Sequence, residues 1–155
     1  MSSSRLRTST AGACLALGAA LSGCASVSEP RAVTLPPGAV LVAAPAIYRE
    51  WSDRTEACSG LTRQFSSVKW YVVPGVETFE TDEGPKVGMW TSHGETDRII
   101  IAGVYENTEM VVRHEILHHL LGQGGHPAEY FVTRCHLTWD SWDSAQGSVI
   151  SGPGE

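Results

Sequence analysis

Residues Arg113 to Pro127 read R-H-E-I-L-H-H-L-L-G-Q-G-G-H-P, and this stretch constrains the fold more than any other part of the chain. Positions i and i+4 lie one above the other on a helix face. His114 and His118 therefore present two imidazoles on one side, and Glu115 follows the first without competing for the same face. Gly122 readily takes the left-handed conformation that ends helices. Gly124 and Gly125 let the chain turn back, bringing His126 eight residues after His118. Four of the six histidines fall within the thirteen residues His114 to His126. Stacking them on apolar neighbours without a partner would leave buried polar groups unpaired, which is costly. Three imidazoles around one ion, with a fourth position open to water, account for the pattern.

Around this stretch the sequence resembles the active-site helix of the zincin metallopeptidases, in which two His of H-E-x-x-H bind zinc and the Glu is the general base. The resemblance implies that His114 and His118 are zinc ligands, Glu115 the general base, and a peptide or protein the substrate. It covers the helix and its following turn and matches no subfamily. The metzincin spacing would need Gly at Leu121 and His at Gly124, and no Met follows to form a Met-turn. The glycine-rich turn favours His126 as third ligand, with His119, Glu129 and His136 as competitors. His119 projects about 100° away from His118. Tyr130 could stabilise an oxyanion, as a Tyr or His does in several zincins, or simply pack as an aromatic.

The start of the chain belongs to export. Arg5 and Arg7 supply a positive region and Ala11 to Leu21 an apolar run too short to span a bilayer, so residues 1–23 read as a signal peptide. Leu21-Ser22-Gly23-Cys24 resembles a bacterial lipobox, in which Cys24 becomes the acylated N-terminus and the lipid anchors the chain to the membrane. Ala25 after the Cys implies, by resemblance to enteric-type bacteria, the outer membrane. Residues 24–45, with Pro30, Pro36, Pro37 and Pro45, read as a tether.

Of four cysteines, Cys14 leaves with the signal and Cys24 takes lipid. Cys58 and Cys135 remain to form one disulfide closing a loop of 78 residues. Without the signal the net charge moves from −6 to −8, nine basic residues against seventeen acidic, which argues against nucleic acid as a partner.

The domain proper is expected over 46–143. Ile47 to Cys58 reads as a helix whose inner stripe holds Ile47, Trp51, Arg54 and Cys58, ended by Gly60. Ser67 to Val73, Lys86 to Thr91 and Arg98 to Ala102 read as strands, the last the most buried because it is continuously apolar. Thr81 to Pro85 is a polar connection. Asn107 is placed to cap the metal-binding helix, with Glu109 in its first turn favoured by the helix dipole. Met110 to Leu121 is apolar nearly all round and so belongs in the core. Ala128 to Cys135 reads as a short helix, and 144–155, with three glycines and a proline, as a disordered tail. The expectation is a small α+β, zincin-like domain. It has an N-terminal helix, a mixed sheet of about three strands, a buried active-site helix and a short C-terminal helical segment.

These readings favour a lipid-anchored zinc peptidase. The alternatives are a non-catalytic zinc-binding or scaffolding lipoprotein, and an accessory protein offering the strand edge Gly88 to Thr91 to a partner.

Overall fold

The computed structural model describes residues 34–93 and 96–150, and within them the chain is a mixed α+β domain. The segment expected to be a signal peptide, and Cys24, lie outside these residues. A four-stranded sheet runs in the order β1 (Val40–Val42), β2 (Val68–Val73), β6 (Thr96–Ala102), β5 (Gly88–His93). β2 and β6 are parallel at its centre, and β1 and β5 pair antiparallel on either side. β3 (Phe79–Thr81) and β4 (Gly84–Lys86) form a separate hairpin leading into β5.

The sequence of β6 explains its place. Ile99, Ile100, Ile101 and Ala102 are all fully buried, so the strand must be covered on both faces, as a continuous apolar run requires. Ile99 and Ile101 face the larger core, with Tyr48, Trp70, Val111, Val112 and Ile116. Ile100 and Ala102 face a smaller one with Val73 and Phe79.

The larger core is roofed by two helices, α1 (Ala46–Ser59) and α2 (Glu109–Leu121). α1 turns its Tyr48, Trp51, Ser52, Thr55 and Ser59 side inward, while Ile47 is 37% exposed and Arg54 is at the surface. This corrects the expected stripe. Small hydroxyls can be buried because each returns a hydrogen bond to its own helix, Thr55 to the carbonyl of Trp51 and Ser59 to that of Thr55, both at 2.7 Å. Their small size leaves room for Arg113 of α2, whose guanidinium donates to Thr55 Oγ1 at 3.1 Å and to Glu109 at 2.9 Å. Glu109 also meets Arg54, so the first-turn acid joins the two helices as well as suiting the dipole. The residue at the N-cap of α2 is Thr108 rather than Asn107, and no side chain caps it. Gly60 and Gly122 end the helices in the left-handed region, at φ 74° and 67°.

After α2 the chain makes a π-helical turn, Glu129–Arg134, and then α3 (Trp139–Ile150). Residues 144–150 are thus helical, correcting the expected disordered tail there. Positions 151–155 lie outside the described residues. The tether is corrected as well, since Val40–Val42 pairs with β2 and adds a fourth strand to the expected three. Cys58 and Cys135 are disulfide-bonded, tying the end of α1 to the residue after the π-turn. Closing a loop this long contributes roughly 4 kcal/mol on chain-entropy grounds. No helix among the described residues is long and apolar enough to cross a membrane.

Candidate metal centre

α2 is buried on most of its circumference, including Glu115, Ile116, Leu117, His118 and His119. Its rigidity fixes His114 and His118 one turn apart, with Nε2 atoms 3.2 Å from each other. Left-handed Gly122 and the glycines after it bring His126 back over the helix. Its Nε2 lies 2.9 Å from that of His114 and 3.1 Å from that of His118. The three atoms form a nearly equilateral triangle, and these residues together could hold a metal ion.

The ring protons can be assigned from the partners. His114 Nδ1 lies 2.6 Å from the carbonyl oxygen of Leu137, and His118 Nδ1 lies 2.9 Å from that of Gln123. A carbonyl only accepts, so both Nδ1 atoms carry the hydrogen and both Nε2 atoms carry lone pairs. Two lone pairs facing each other at 3.2 Å repel unless a cation, or a hydrogen donated by His126 Nε2, lies between them. A proton is a poor candidate near neutral pH. Burial pushes both imidazoles down to about 4, with His126 adding to the effect at His114 and both His114 and His126 adding to it at His118. A tetrahedral ion with bonds of about 2.0–2.1 Å needs ligand atoms about 3.3 Å apart, close to the edges found here. The donor set fits.

Phe131 forms the floor. It is fully buried, and its ring lies 4.8, 4.8 and 4.9 Å from those of His114, His118 and His126. The π-turn carries it there. Left-handed His136, at φ 52°, then precedes Leu137, whose carbonyl holds His114. Trp90 on β5 stacks against His118 at 6.4 Å.

Glu115 is buried against β5. In the β5–β6 ladder, Ala102 donates to the carbonyl of Val87, which leaves the main-chain groups of residues 88, 90 and 92 facing the open edge. The Trp90 amide on that edge donates to the Glu115 carboxyl. Burial pushes Glu115 up to about 8, against the opposing effects of this hydrogen bond and of the Lys86 ammonium. A carboxyl in that range is suited to take and return a proton near neutral pH.

The competitors for the third ligand lie elsewhere. His119 is buried away from the triad, its Nδ1 2.6 Å from Asp97, where Arg63 also reaches Asp97 at 3.2 Å and the His119 carbonyl at 2.7 Å. This cluster braces the end of α2 against β6. Glu129 pairs with Arg134, and His136 lies on the outer surface beside Thr133 and Asp140. Tyr130 packs beside Leu117 and Phe131, with the Arg134 guanidinium 5.2 Å over its ring. Trp90, Phe131 and the carbonyls of Leu137 and Gln123 had no sequence signal, because all meet the triad through the fold.

His126→Ala should lower metal affinity more than about 100-fold, since loss of an outer partner alone costs roughly 10–100-fold. Metal content by mass spectrometry and a competition titration would read this, with His136→Ala as the unaffected control. Equal affinity in both variants would remove His126 from the centre.

No protein family matches this chain, and no curated protein or solved structure matches it either.

Proposed function

We propose that the chain is an exported, lipid-anchored zinc metallopeptidase of the bacterial envelope, with His114, His118 and His126 as the metal ligands and Glu115 as general base. The observation that carries this reading is the pair of His114 and His118 Nε2 lone pairs turned toward each other, with a buried carboxyl on the next residue of the same helix. Three neutral imidazoles with a fourth position open are a donor set that catalytic zinc takes. Zinc bound there supplies an acidified water and polarises a carbonyl oxygen.

The protein's own groups do the rest. The ring-to-carbonyl hydrogen bonds hold the two helix imidazoles in the ligating tautomer. Glu115 accepts the proton of the attacking water and delivers it to the leaving amine. β5 is an edge strand of its sheet, and apart from the Trp90 amide held by Glu115 its outward main-chain groups suit an extended peptide adding as a further strand. Membrane attachment rests on the lipobox at Cys24, and the acidic charge argues against nucleic acid.

A second reading is a zinc-binding or scaffolding lipoprotein without turnover, which the same three imidazoles would serve. Purified protein assayed for metal content and for cleavage of an unfolded protein separates the readings. Bound zinc with cleavage abolished by a chelator and restored by zinc supports the peptidase. Bound zinc without cleavage supports the second reading, and absence of metal removes both.

A further inference from the structure

Gly88 opens β5 beside the metal centre, and its backbone gives no reason to be glycine. Its φ is not among the positive values found at Gly38, Gly60, Gly75, Gly84 and Gly122, so an ordinary residue could adopt the same conformation. What a side chain would meet is specific. A Cβ built on Gly88 falls 2.6 Å from Glu115 Oε1, 2.9 Å from its Cγ and 3.1 Å from its Cδ. Such approaches require the Glu115 side chain to move. Glu115 is buried, sits on a helix packed nearly all round, and receives the Trp90 amide two residues along the same strand.

We propose that Gly88 is a positioning residue for Glu115, its missing side chain forming the slot that holds the carboxyl at the metal centre. The slot has two walls from one strand: the bare backbone of Gly88 and the amide of Trp90. Trp90 also stacks on His118, so a single strand sets the carboxyl and one ligand ring relative to each other. The slot excludes even a methyl group. In this design the identity of residue 88 governs proton transfer without governing metal binding.

The inference rests on the peptidase reading for its catalytic consequence and on geometry alone for the contact. Gly88→Ala should retain wild-type metal stoichiometry and affinity, because the three atoms nearest the added methyl all belong to Glu115 and none to an imidazole. Its kcat should fall about 100-fold, as expected for misplacing a reacting group by about 1 Å, with KM changed less than about threefold. Overpacking should lower Tm by about 5–15 °C. Adding Glu115→Ala removes the atoms in the way, so the double variant should melt above the sum of the two single losses. Additive Tm losses, or a Gly88→Ala enzyme with unchanged kcat, would overturn the proposal. If the wild type cleaves nothing, the Tm cycle still decides whether Gly88 seats Glu115, and only the function falls.

Discussion

Glu115→Gln should abolish peptide hydrolysis, with kcat down by about 10²–10⁴-fold or more, while zinc stoichiometry stays at the wild-type value. The substitution keeps the shape and an oxygen that can accept the Trp90 amide, and removes only the ability to hold a proton in transit. The His114 and His118 tautomers do not depend on Glu115, since the carbonyls of Leu137 and Gln123 fix them. Stability separates this variant from a misfolded one. A carboxyl pushed up to about 8 by burial is disfavoured in its charged form, so the metal-free Gln variant should melt at or above the wild type when the pH exceeds that value. Full activity in this variant would defeat the assignment of Glu115.

Removing the metal should reveal a stability maximum near pH 6.5. Folded His114 and His118 hold values of about 4, well below the ordinary imidazole, so the unfolded chain binds more protons between about 4 and 6.5. Stability from these groups rises with pH through that window and is lost as the solution is acidified. Glu115 acts in the opposite sense. Its folded value of about 8 means that the native state holds the extra proton, and stability falls as pH rises from about 4.5 to 8. Two imidazoles outweigh one carboxyl below about pH 6.5, and the carboxyl alone acts above it. Adding zinc at about 100 times its dissociation constant should then contribute about 2.7 kcal/mol. Melting curves across pH, with and without zinc, test both parts. A Tm indifferent to zinc would rule out a centre formed in the folded state.

The sequence carried the site further than it carried the sheet. The spacing of His114, His118 and His126 around Gly122 was sufficient to place three nitrogens together, because helix geometry and a left-handed turn are local properties. β6 was legible from its run of Ile99, Ile100 and Ile101, and α2 from apolarity on every side. Three-residue strands were not. β1 follows a proline-rich stretch, and the Phe79–Lys86 hairpin is formed by residues whose composition matches a polar connection. Such strands are defined by their pairing partners, which no local pattern encodes. α3 was hidden by the glycine and serine content of the tail, although Trp139 and Trp142 lie at helical spacing. His119 was legible in part. Its direction away from His118 follows from helix geometry, but its partner Asp97 lies in a distant strand.

The disulfide has a consequence for how the centre matures. Cys135 follows the turn that carries Phe131 and precedes Leu137 by two residues, so the bond clamps both the floor of the triad and the carbonyl that orients His114. Oxidation and metal loading therefore favour the same arrangement of one segment. Linkage makes such a coupling reciprocal: whatever factor the disulfide adds to metal affinity at the triad, a bound metal would add to the resistance of the disulfide to reduction. Reduction of Cys58 and Cys135 should therefore lower the affinity of the triad for a metal ion.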